Sequence, residues 1–184
     1  MKVLLLVANR SAVTGLIPSF QEAFFQLHID GKVFIVNEDK IYQKQRKELK
    51  KYIVDHGIDR LLCINDFCQN GEYLVDQEIA ELAHYYIWFV DSMYSMKTPD
   101  STLSLYEKVS SFEPKDTALS SVYHKTIHYV PLTMGNNIFC TAPENVEKKY
   151  DISFVGLVSG SKKRLKILNA FAKYGKTNHI KMRC

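Results

Sequence analysis

The chain has 184 residues, 46% of them apolar and 24% charged, with a formal net charge of +4. That length holds one domain or one and a fraction, and the composition excludes disordered, fibrous and low-complexity classes. The first apolar run, 2–8, is too short for a signal peptide and far short of the ~20 residues a membrane helix needs, so we expect a soluble protein with no transmembrane segment.

Apolar runs alternate with longer periodic stretches, the pattern of strands and helices around a parallel sheet. Val3 to Val7 reads as a first strand, Leu16 to Leu27 as a helix with Pro18 in its first turn, and Val33 to Val36 as a second strand. Tyr42 to Asp55 predicts a polar helix with Leu49, Tyr52 and Ile53 facing inward and Gly57 ending it. Strands follow at Leu61 to Ile64 and Ile87 to Val90, with a helix over Val75 to His84 between them. None of the four strands alternates polar with apolar, as expected when helices cover both faces of the sheet. Met93 to Ser104 reads as a long loop, Lys108 to Phe112 and Thr126 to Val130 as strands five and six, and Lys115 to Tyr123 as the helix between them.

Gly135, Asn136, Asn137 and Pro143 then break the rhythm, and a linker over 135–149 is predicted. Asp151 to Val155, Lys162 to Tyr174 and His179 to Met182 form one fresh strand-helix-strand unit. The predicted fold class is α/β: a Rossmann-like parallel sheet with helices on both faces over 1–134, followed by an incomplete second β-α-β unit over 150–184. So small a unit cannot bury a core alone, and a truncated second domain is the simplest expectation.

Charge divides along the same line. Residues 1–146 carry 14 basic and 18 acidic side chains, whereas 147–184 carry 10 and 2. Aromatic residues are not interleaved with this basic tail as on a single-strand platform, and the body is acidic, so no nucleic-acid partner is expected. Cys63, Cys68, Cys140 and Cys184 form no CxxC pair and read as free thiols, cytoplasmic by default. The six histidines form no HxH pair, and no metal site is expected. The aromatic group His84, Tyr85, Tyr86, Trp88 and Phe89 reads as core.

In an open parallel sheet, ligands bind beyond the carboxyl ends of the strands near the point where strand order reverses. The candidates there are Asn9, Arg10 and Ser11 after strand one, Asn65 and Asp66 after strand three, Asp91 and Ser92 after strand four, and Glu113 after strand five. A carboxylate in such a rim can act as a general base, and it equally often caps a helix or closes a turn. Gly15 either relaxes the start of the first helix or admits a ligand close to its amides. Gly156, Ser159, Gly160, Lys162, Lys163 and Arg164 stand at a second strand-to-helix turn, where free amides and cations suit a diphosphate. Cations at a helix start also oppose its dipole, so a plainly solvated face is the competing reading.

The segment YDISFVG at 150–156, the following GLVSGSKKRLKIL, IWFVDS at 87–92 and HYVPLTMG at 128–135 together resemble CgeB-like (spore-maturation type) glycosyltransferases. The resemblance implies the GT-B architecture, in which two Rossmann-like domains face each other, the first holding the acceptor and the second a nucleotide-sugar. It implies that this chain carries the acceptor-side domain and the opening of the donor domain, with the rest of that domain as its missing structural partner. It further implies transfer of a sugar from a nucleotide-sugar to a hydroxyl acceptor, without another cofactor, by a fragment inactive alone. On that reading Asp91, and second Asp66, is the base; Asn9, Arg10, Ser11, Gly15, Ser92 and Glu113 contact the acceptor; and Gly156, Ser159, Gly160, Lys162 and Arg164 bind the donor phosphates. The alternative is a flavodoxin-like, non-enzymatic module binding a nucleotide or flavin, for which Ser11, Thr14 and Gly15 partly supply the phosphate loop.

Overall fold

The computed structural model describes residues 1–132, 149–153 and 161–183. The chain divides into two compact units, Met1–Phe139 and Cys140–Cys184.

The first unit is built on a sheet of six parallel strands. The first strand, β1 (Lys2–Ala8), is buried along nearly its whole length because cores lie on both its faces. A short turn α1 (Ser11–Thr14) leads to α2 (Ile17–Gln26), which starts with Pro18 in its first turn and caps its end on the carbonyls of Ala23 and Phe25. Strand β2 (Asp30–Val36) is the sheet edge, and Gly31 in it is required: a Cβ there would lie 2.0 Å from the Phe24 ring. Helix α3 (Tyr42–His56) ends at Gly57, whose left-handed φ of 58° lets Ile58 N–H donate back to Ile53 carbonyl at 3.0 Å.

After β3 (Arg60–Ile64) the chain makes a small antiparallel hairpin, β4 (Cys68–Gln69) and β5 (Glu72–Tyr73). The two turn residues, Asn70 at φ 53° and Gly71 at φ 82°, are the pair that such a two-residue turn favours. The helix expected over 75–84 shrinks to α4 (Gln77–Ala80), capped by Asp76, which accepts from Ile79 N–H at 3.0 Å. It is cut short because β6 (His84–Phe89) begins three residues early, paired with β3 from Arg60 onward and burying Tyr85 against Tyr106.

The stretch expected as a loop over 93–104 holds two short helices, α5 (Met93–Met96) and α6 (Asp100–Leu103). Strand β7 (Lys108–Ser111) is followed by a 3₁₀ helix at Pro114–Ser120 rather than the expected α-helix, and β8 (Ile127–Tyr129) closes the sheet. The tighter winding sets residues three apart on one line, so Asp116 and Leu119 both point inward and are buried.

Strand order is β2-β1-β3-β6-β7-β8, all parallel, which places the reversal of order between β1 and β3. Alternate residues of β1 feed two cores: Leu4, Leu6 and Ala8 with Tyr42, Leu49 and Ile53 of α3 on one face, and Val3, Leu5 and Val7 with Phe24 and Trp88 on the other. The expected fold class, a Rossmann-like α/β sheet with helices around it, is what the chain adopts. Of the aromatic group leading into β6, Tyr85, Trp88 and Phe89 are buried while His84 is exposed.

In the second unit, β9 (Ile152–Ser153) and β10 (Met182–Arg183) pair in parallel, joined by α7 (Lys162–Thr177). These two strands form a sheet of their own. The expected linker over 135–149 falls outside the described residues except at its last position.

Candidate functional site

The sheet's carboxyl edge collects the loops after β1, β2, β3, β6 and β7, and the crevice at the β1/β3 reversal is where such folds take ligands. Asn9 and Arg10 follow β1 there. Arg10 reaches Glu38 in the loop after β2 through both Nε and Nη2, the latter 2.8 Å from Oε1. A forked guanidinium contact of this kind fixes the carboxylate's plane.

That loop is anchored from below. Gln45 of α3, nearly fully buried, accepts from Asn37 N–H at 2.8 Å and donates to Asn37 carbonyl at 2.7 Å and Lys40 carbonyl at 3.2 Å. Gln69 of the hairpin donates to Glu38 carbonyl at 2.9 Å and accepts from Tyr42 N–H at 3.3 Å, so β4 and β5 are tied to the same rim. Tyr42 itself is packed beneath, and burial first, then the Glu38 charge, pushes its hydroxyl up to about 12.

After β3 the chain passes through Asn65 and Asp66. The Asp66 carboxyl accepts a hydrogen bond from Thr98, whose side chain is buried. Burial lifts Asp66 above the ordinary aspartate range, and the Thr98 hydrogen bond opposes that in part. Desolvation destabilises the charged form, so this carboxyl holds its proton to a higher pH than a solvated one. The buried Cys63 thiol and the half-buried Tyr73 hydroxyl are shifted upward as well, also chiefly by desolvation.

Asp91, at the end of β6, is exposed, and its Oδ2 accepts from Asn65 Nδ2 at 2.9 Å. Asp66 and Asp91 thus end two neighbouring strands in different surroundings, one half-buried against a hydroxyl and one at the surface held by an amide. Such a difference is what allows two carboxylates to take different roles.

Other expected site residues are occupied otherwise. Ser92 donates to Asp116 Oδ1 at 3.1 Å, and Asp116 Oδ2 also accepts from Met93 N–H at 2.9 Å and Ser111 Oγ at 2.6 Å. This fully buried aspartate, invisible to a search of strand ends, stitches the β6 and β7 loops together. Glu113 caps the 3₁₀ helix by accepting from Lys115 N–H at 3.3 Å, the capping role weighed above. Gly15 lies in the turn between α1 and α2, and the side chain of Ser11 falls outside the described residues.

Of the expected donor-phosphate residues, Gly156, Ser159 and Gly160 lie outside the described residues, as does most of YDISFVG. Lys162 and Arg164 stand in the first turn of α7, where Ser161 Oγ caps the helix by accepting from Arg164 N–H at 3.2 Å.

A concavity of about 690 Å³ lies at the opposite, amino-terminal edge of the sheet, lined by charged groups including Arg60, His84, Glu107 and Lys125. There His84 Nδ1 is 2.6 Å from the Glu107 carboxylate, and burial lowers the pKa of Lys125, which donates to Tyr106 carbonyl. Its polar groups are engaged with one another at the strand starts, away from the order reversal, so the carboxyl rim is the stronger candidate.

No family model, curated protein or solved structure matches the chain. Among the described residues, no helix is long and apolar enough to cross a membrane.

Proposed function

We propose that this chain is the acceptor-side half of a glycosyltransferase that moves a sugar from a nucleotide-sugar to a hydroxyl. The reading rests on the resemblance of the segments at 87–92, 128–135 and 150–156 to CgeB-like enzymes. The observation that carries it is the pair Asp66 and Asp91 at the carboxyl ends of adjacent strands beside the order reversal. Sugar transfer needs a group that accepts the acceptor's hydroxyl proton as the new bond forms, and a rim carboxylate meets that need. Asp91, exposed and oriented, takes the proton; Asp66, which retains its own proton more readily, hydrogen-bonds a neighbouring hydroxyl of the same acceptor.

The test is nuclear magnetic resonance mapping on the 184-residue chain with a panel of simple glycosides and nucleoside diphosphates. Glycosides are expected to shift amides at Asn9, Arg10, Asp66 and Asp91, and Asp91→Asn to weaken that binding by roughly tenfold, about 1.4 kcal/mol. Shifts confined to the amino-terminal edge, or binding indifferent to Asp91→Asn, would overturn it.

A second reading has one specific observation in its favour: with the small hairpin set aside, the strand order is 2-1-3-4-5-6, beginning as flavodoxin-like sheets do. A flavin would then sit at the β1/β3 crevice against the loop 9–15. Purified protein showing flavin absorbance, or taking up added flavin mononucleotide, would favour it over sugar transfer.

A further inference from the structure

Asn65 stands where a backbone oddity, a side-chain clamp and a candidate base coincide. Its φ of 59° lies in the left-handed region, which asparagine tolerates better than most residues. That turn carries the chain off the end of β3 with Asn65 N–H still donating to Trp88 carbonyl at 3.0 Å, while the carbonyl of Asn65 accepts from the buried Cys63 thiol at 2.9 Å. The residue's backbone is therefore fixed from both neighbouring elements.

The side chain, so held, reaches across to β6. Oδ1 accepts from Val90 N–H at 2.8 Å and from Asp91 N–H at 3.3 Å, and Nδ2 donates to Asp91 Oδ2 at 2.9 Å. Two amide donors on one side and a carboxylate acceptor on the other settle which end of the amide is which. No other common side chain of this length offers an acceptor and a donor on one planar fork. Aspartate keeps the acceptor, loses the donor and adds a like charge beside Asp91.

We propose that Asn65 is a positioning residue: it fixes the Asp91 carboxylate in one orientation at the crevice, so that Oδ2 is engaged and Oδ1, without a hydrogen bond among the described residues, meets the acceptor hydroxyl. The functional part of this inference rests on the reading of Asp91 as base. A carboxylate already oriented loses less conformational freedom on reaching the reactive geometry, which is where such a clamp contributes.

The experiment compares the parent chain with Asn65→Gly, which preserves the left-handed backbone and deletes the clamp, and Asn65→Asp, which preserves the acceptor alone. Three-bond Hα–Hβ couplings of Asp91 report its side-chain rotamer directly. The parent is expected to show one rotamer, and both variants averaged couplings, with amide shifts of β1 unchanged. Asp91 keeping a single rotamer in either variant would overturn the clamp. Glycoside binding, measured alongside, should fall roughly tenfold in Asn65→Gly, about 1.4 kcal/mol. If Asp91→Asn leaves that binding intact, the base assignment fails by itself, while the couplings still decide the clamp.

Discussion

At Gly31 the consequence of one missing Cβ can be worked out from geometry. The Phe24 ring lies where that carbon would be, packed also against Phe20, whose ring meets Trp88 at 5.9 Å. Gly31→Ala is therefore expected to destabilise the chain by about 1–3 kcal/mol through overpacking, read as a lower urea midpoint, and Phe24→Leu in the same chain should restore part of the loss. Asp66 carries a different liability. Because burial raises its folded-state pKa above the ordinary value, the folded chain binds a proton there that the unfolded chain has already released. Its contribution to stability is thus fullest below the ordinary aspartate value and is lost as pH rises through the folded one. Asp66→Asn is expected to unfold at a higher temperature than the parent at neutral pH, with the difference shrinking on acidification; a parent more stable than the variant at neutral pH would contradict this. Asp66 and Asp91 were legible in the sequence because a residue's place after a strand follows from the strand pattern alone. The roles of Asp116 and Thr98 were not, since nothing local marks an aspartate that collects donors from the loop after β6 and from the end of β7, or a threonine whose partner lies 32 positions away.

The hairpin β4–β5 shows what a single element contributes to the rim. It is only two residues per strand, yet Gln69 ties it to Glu38 and Tyr42, and Arg46 of α3 donates to the carbonyls of Leu74 and Tyr73 at 3.1 and 2.6 Å. Its turn needs positive φ at both central positions. Gly71→Ala forces a Cβ into that region at a cost of about 1–2 kcal/mol, and the expected readout is faster amide exchange over 67–74 with β1 unaffected. Asn-Gly between short polar-apolar segments is the strongest local hairpin signal, and Asn70 and Gly71 supply it here. Four of the main strands, β1, β3, β7 and β8, were legible to within a residue at each end, whereas β2 and β6 each begin three residues before the expected start. The elements that differed are those whose state is decided by distant contacts. The segment 75–84 gives up helix to extend β6, and 114–120 tightens to a 3₁₀ turn so that Asp116 can point inward.

Across the whole molecule, stability is unevenly distributed. In the first unit the sheet buries both its faces, with Leu4, Leu5, Leu6, Leu49, Leu61, Ile64, Ile79, Ile87 and Phe89 all nearly inaccessible. In the second, two-residue strands flank a helix of which Gly175 is the one buried residue described, and Leu165, Ile167, Phe171 and Tyr174 are exposed. Apolar burial contributes ~25 cal/mol per Å² removed from water, so the described residues of the second unit set little of it against the entropy of ordering their backbone. Local opening there should need far less free energy than global unfolding. Native-state hydrogen exchange on the 184-residue chain is therefore expected to protect the amides of β1, β3 and β6 most strongly, with α7 exchanging orders of magnitude sooner and without denaturant dependence. If the proposed glycosyltransferase reading holds, added glycosides should slow exchange around Asn65 and Asp91 and leave α7 unchanged. Equal protection of α7 and β1 would contradict this difference in stability.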